Sequence, residues 1–215
     1  MKEISETKRK YKPKLVLSHY SDKELPDAYK NEFTGLRNSR YLNEIVPGTF
    51  SRFKKAKEPF TILTATIDDL FSICERFGKD RGNQTIRYVA QLISGNKRPK
   101  DEAICGRYGK SMSALFFVLI PNDYHGGMVL AERLRSGQEE SIQSFDVYEG
   151  FQAEGFGTLT ISVIQANYFS NLEQTIKCGI KMLVYPKVHR NESLVLQSNG
   201  RVASYDRYMK MQKQE

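Results

Sequence analysis

The sequence predicts an α/β sandwich of the α+β kind, with helices packed on one sheet. Three observations predict it: short apolar runs rich in β-branched residues, longer stretches with apolar residues at helical spacing, and their order α-β-α-β-β-α-β-α. A chain of 215 residues, 40% of them hydrophobic, is long enough for one sizeable core with extensions.

The first thirty residues are dominated by Lys8-Arg9-Lys10, Lys12, Pro13 and Lys14, then by the polar stretch Ser21 to Pro26, with one short apolar patch, Leu15-Val16-Leu17. They read as a basic arm followed by a polar lead-in helix. From residue 31 the pattern changes. A helix is predicted from Ser39 to about Phe53, then a strand over Phe60 to Ile67.

Ile86, Val89, Ala90, Leu92 and Ile93 recur at helical spacing and stop before Gly95-Asn96, a helix-end signal. Two apolar runs, Ala103 to Cys105 and Ala114 to Ile120, flank the turn-like Tyr108 to Ser113 and predict a β-hairpin. A helix follows over about Gly127 to Ser136. The alternating Leu159 to Val163 predicts another strand, and residues 171 to 185 a last helix that Pro186 ends. The domain is expected over 31–195, with 1–30 as arm and lead-in helix and 196–215 as a polar tail.

Composition narrows the function classes. A net charge of +8 and a pI near 9.3 bias the surface towards anions, without choosing among nucleotides, nucleic acid, acidic proteins and anionic lipid. No stretch approaches the roughly 18 to 20 continuous apolar residues that span a bilayer, and Met1 to Glu6 has no apolar signal core, so a cytoplasmic protein is expected. Cys74, Cys105 and Cys178 are odd in number and widely separated, which fits neither a disulfide framework nor a zinc site. His19, His125 and His189 lack metal-ligand spacing. Nucleic-acid binding by Lys8 to Lys14 is set aside, because such arms are usually solvated tails.

Asn31 to Leu42 reads NEFTGLRNSRYL and resembles the opening signature of GGDEF domains, the diguanylate cyclase family of bacterial signalling. Thr66-Ile67-Asp68-Asp69-Leu70-Phe71, Arg76 to Asn83, Arg107-Tyr108-Gly109 and Leu159 to Val163 follow at suitable spacing, so the resemblance covers residues 31 to 191. It implies a central, mainly antiparallel sheet flanked by helices, with the signature loop at a hairpin turn.

The resemblance also implies what has been lost. The family joins two GTP molecules into cyclic di-GMP, with carboxylates holding divalent metals. Its strand-end Asp corresponds to Thr66, a neutral hydroxyl. Its acidic signature corresponds to Gly109-Lys110-Ser111-Met112-Ser113, and no Asp or Glu stands between Glu102 and Asp123. The base-reading Asn and Asp fall at Cys74 and Asn83. A non-enzymatic protein with no metal and no cofactor is therefore expected, while Lys187 and Arg190 match phosphate-contacting basic residues after the family's last helix.

An inhibitory-type site is matched better. The family's Arg-x-x-Asp upstream of the hairpin corresponds to Arg98-Pro99-Lys100-Asp101, and its helical Arg to Arg133. An Arg fork suits phosphate or the guanine Hoogsteen edge, and an Asp accepts from guanine N–H groups. The expected function is a cyclic di-GMP receptor or effector that acts on a protein partner. The alternative is a ligand-independent interaction scaffold.

Overall fold

The computed structural model describes residues 27–106, 114–148, 157–184, 191–196 and 200–212. The basic arm and nearly all of the lead-in helix expected over 1–30 lie outside the described residues.

From a short 3-10 turn at Asp27–Tyr29 the chain enters a loop built by two asparagines. The Asn31 side-chain oxygen accepts from the Phe33 and Thr34 N–H groups, both at 3.1 Å, and Gly35 takes φ +74° to close the turn. Asn38 caps α1 (Ser39–Glu44) by accepting from the Tyr41 N–H at 3.1 Å. Its amide donates back to the Ala28 and Lys30 carbonyls. The one helix expected from Ser39 to Phe53 is two: Pro47 has no N–H to continue the ladder, so α2 (Val46–Ala56) restarts with Pro47 in its first turn.

After β1 (Thr61–Ile67) come α3 (Leu70–Phe77) and α4 (Lys79–Asn96), separated by Gly78 at φ +85°. The helix expected around 86–93 thus begins a full seven residues earlier and runs through Gly95. The expected hairpin is present as β2 (Glu102–Gly106) and β3 (Leu115–Ile120), antiparallel, with Gly106 opposite Leu115. Its connecting residues fall outside the described ones. The helix expected over 127–136 is α5 (Tyr124–Tyr148), 25 residues long and started by Asp123, which accepts from the Gly126 N–H.

β4 (Leu159–Gln165) and α6 (Leu172–Val184) match expectation. The polar tail expected over 196–215 is corrected. β5 (Ser193–Leu196) pairs with β6 (Val202–Ser204), which leads into α7 (Tyr205–Gln212), and Tyr205 packs on the core.

The sheet order is β2-β3-β1-β4-β5-β6, antiparallel except for the β4–β5 pair, as the resemblance implied. Strand parity divides the core. Leu63, Ala65, Phe116, Val118, Ile161 and Val163 face α4 and α5, where Val89, Ile93 and Leu134 meet them. Ile62, Ile104, Phe117 and Leu119 face Tyr41, Phe50, Phe53 and Ile176 on α1, α2 and α6. Because both faces are covered, β3 reads as a continuous apolar run, while β1 and β4 carry buried Thr and Ser between their apolar residues.

Candidate functional site

Two places could carry function: the end of β1 and the turn between α4 and β2. At the first, Thr66 stands half-buried on β1, opposite Thr160 on β4 and Leu115 on β3. Asp68 leaves the strand and is turned inward to β4. Its carboxylate accepts from the Thr158 hydroxyl at 2.7 Å, the Thr160 hydroxyl at 2.9 Å and the Asn191 backbone N–H at 3.0 Å. Burial outweighs these bonds and raises its carboxyl above the ordinary value. Asp69, exposed and at φ +54°, starts α3.

The resemblance implies a divalent metal at this end of the sheet. Magnesium needs anionic oxygens facing open space. Thr66 offers a neutral hydroxyl, and Asp68 already serves three donors. Thr66 and Asp68 do not fit such an ion, and the exposed Asp69 adds a single carboxylate. Gly109, Lys110, Ser111, Met112 and Ser113 lie outside the described residues, and none of them has a carboxylate to add.

The resemblance aligns Cys74 and Asn83 with base recognition. The Cys74 sulfur lies 2.2 Å from where a Cβ on Gly82 would stand, so α3 and α4 cross with the thiol pressed on bare backbone. Cys74 is a packing residue between these helices, and Asn83 is exposed on α4. Cys105 is buried in the sheet, where desolvation pushes its thiol up to about 11.

At the second place the chain leaves α4 and turns sharply before β2. The Asp101 side chain is 0% exposed and folds back on the turn. One oxygen accepts from the Arg98 backbone N–H at 2.9 Å and from its Nε at 3.1 Å, and the other accepts from an Arg98 terminal nitrogen at 3.1 Å. The result is a two-pronged pair whose Arg98 side chain remains 46% exposed. From α5, Arg133 donates to the Asn96 carbonyl at 2.5 Å. The fold therefore brings Arg98, Asp101 and Arg133 to one corner, although Arg133 meets the end of α4 rather than Asp101.

Lys187 and Arg190 lie outside the described residues, but the chain beside them is anchored. Asn191 donates its backbone N–H to Asp68, and its side-chain oxygen accepts from Arg135 at 3.2 Å. Sequence reasoning missed this clamp. The available signal was Thr158 and Thr160, two hydroxyls two residues apart where the chain enters β4.

A family model described as "Diguanylate cyclase, GGDEF domain" matches residues 28–154. Among curated relatives, a diguanylate cyclase of Vibrio cholerae is 28% identical over 109 residues, covering 50% of this chain and 32% of that protein. The response regulator PleD of Caulobacter vibrioides is 30% identical over 115 residues, covering 53% and 24%. The matched region thus spans less than a third of either relative. Among solved structures, the coiled coil and GGDEF domain of DgcB from Caulobacter crescentus, in complex with c-di-GMP, aligns with a TM-score of 0.66 at 17% identity, covering 79% of this chain and 86% of that one. Diguanylate cyclase SiaD from Pseudomonas aeruginosa, in complex with its activator SiaC, aligns at 0.63 and 20% identity, covering 78% and 62%. At these identities the structures speak for the fold alone. Among the described residues no helix is long and apolar enough to cross a membrane. With the model spanning more than half its length, the chain belongs to the GGDEF family.

Proposed function

We propose that this GGDEF-domain signalling protein does not synthesise cyclic di-GMP but binds it at the corner formed by Arg98, Asp101 and Arg133. The observation that carries the reading is the bidentate Arg98–Asp101 pair, whose Arg98 side chain stands 46% exposed next to the end of α4 that Arg133 reaches. A guanidinium held flat by a buried carboxylate loses little freedom when it meets a second planar acceptor, so Arg98 is preorganised for a guanine Hoogsteen edge or a phosphate. Asp101 acts first by orienting Arg98. It accepts from guanine N–H groups only where ligand draws the fork aside.

The lack of synthesis is supported by Thr66, by the engagement of Asp68 with Thr158, Thr160 and Asn191, and by a hairpin without carboxylates. The DgcB structure that shares this fold holds c-di-GMP, which makes that ligand the first to try. A protein partner reads the liganded surface in this proposal, as an activator is bound in the SiaD complex.

A second reading, a scaffold that needs no ligand, is favoured by one observation. Phe71, in the first turn of α3 beside the β1 end, is 72% exposed, the kind of aromatic anchor that partner surfaces use.

Calorimetric titration tests both. Saturable binding of cyclic di-GMP that is lost in Arg98→Ala is the expected result. Absence of binding with a properly folded protein favours the scaffold, and conversion of GTP with magnesium to cyclic di-GMP overturns the non-enzymatic reading.

A further inference from the structure

Lys97 and Glu102, which flank the Arg98–Asp101 turn, line a cavity of roughly 350 Å³. Three stretches of chain wall it: the segment 27–37, the end of α4 and the start of β2. Asp27, Lys30, Arg37, Ser94, Lys97 and Glu102 supply its polar lining, and among the described residues no aromatic side chain lines it. Arg37 and Glu102, 12% and 14% exposed, face each other at 3.5 Å and largely cancel. The remaining ionisable groups are Lys30 and Lys97 against Asp27, so the cavity favours an anion. Without a stacking surface it suits a sugar–phosphate better than a base.

The cavity adjoins the proposed ligand corner through the backbone. Lys97 directly precedes Arg98, and its Nζ donates to the Asp101 carbonyl at 3.2 Å, while Glu102 directly follows Asp101. Consecutive Cα atoms stand about 3.8 Å apart, so a base at Arg98 and its own phosphate at Lys97 need span only one nucleotide. A phosphate requires cations, and Arg133 already spends a donor on the Asn96 carbonyl.

We infer that Lys30 and Lys97 are the phosphate-binding cations of the cyclic dinucleotide site, and that this cavity receives the sugar–phosphate whose guanine edge meets Arg98. The inference rests on the receptor reading above. It gives that site an output as well. Lys30 belongs to the segment that pairs with Arg37 and lies along β2, so a phosphate shared by Lys30 and Lys97 fastens this segment to α4.

The test is calorimetric titration of the full chain with cyclic di-GMP at two salt concentrations, using wild type, Lys30→Gln, Lys97→Gln, Lys97→Arg and Arg98→Ala, each with its melting temperature checked. Each Gln variant is expected to weaken binding at least tenfold and to reduce its salt dependence, and Lys97→Arg to restore it. Lys30→Gln is the decisive variant, because the hydrogen bonds described for Lys30 are made by its backbone. Wild-type affinity in Lys30→Gln, or a loss confined to Lys97→Gln with unchanged salt dependence, overturns the assignment. If Arg98→Ala abolishes binding in the same series, the receptor reading survives that failure. Absence of binding by wild type removes both.

Discussion

The backbone N–H of Asn191 donates to the carboxylate of Asp68 at 3.0 Å, joining the end of β1 to the residue from which β5 enters the sheet. Two residues 123 positions apart are thereby fixed at the place where the sheet changes from antiparallel to parallel. Asp68 acts in this chain as a clamp between strands.

Asp68→Ala is expected to cost about 2–3 kcal/mol, since it strands two hydroxyls and a backbone N–H that share one acceptor. Urea denaturation measures this. A cost below about 0.5 kcal/mol would mean that water replaces the carboxylate freely and that the clamp is incidental.

The same group sets a pH dependence. Burial raises the Asp68 carboxyl above its ordinary value of 3.8, against the opposing bonds from Thr158, Asn191 and Thr160. A group whose folded pKa exceeds its unfolded one holds its proton more tightly in the fold. Its contribution is full below the unfolded value and is lost as pH rises through the folded one. The stability of wild type relative to Asp68→Asn should therefore fall as pH is raised from about 3.8 towards neutrality. A relative gain over that window would show that the hydrogen bonds outweigh burial.

Gly82→Ala places a methyl on the Cys74 sulfur and is expected to cost about 1–3 kcal/mol by overpacking. Cys74→Ala removes the sulfur, and the double variant should recover most of the loss. A double-mutant cycle reads the coupling, and strict additivity would show that the thiol simply rotates away.

Thr66→Asp alone is expected to leave GTP unconverted in the presence of magnesium, as followed by separation of the nucleotides. One carboxylate at the end of β1 cannot hold the metals while Asp68 stays clamped and the hairpin offers none. Product formation by this variant would show that Asp69 or another acid completes the set.

The central strands could be read from sequence because burial on both faces writes β3 as an unbroken apolar run and leaves β1 and β4 rich in β-branched residues. The ends of elements were hidden where local rules gave way to tertiary contacts. α5 continues past Gly137 because Gln138 is buried and donates to the Gly157 carbonyl, a partner nineteen residues away. α3 was recognised as a motif and not as a helix, since eight residues between Asp69 and Gly78 carry too little periodicity. β5 and β6, of four and three residues, pair among the described residues with each other and with β4 alone, so nothing in their own composition announces them.

At the candidate site, the pairing of Arg98 with Asp101 was legible from their spacing, because a four-residue turn places its ends together whatever surrounds it. The bonds that occupy these groups were not. Nothing in the sequence tells that Asp101 folds back under Arg98, or that Arg133 caps a carbonyl of α4.

The main chain of Arg37 lies along β2, giving its N–H to the Ala103 carbonyl and accepting from the Cys105 N–H. Asn31 adds its amide to the Cys105 carbonyl. This segment is a selvage: it finishes the border of the sheet so that the unpaired groups of β2 cannot recruit another chain. A fragment beginning at residue 38 would keep nearly every strand and helix, yet it would present a raw margin. Its first failing would be association with its own kind rather than loss of fold.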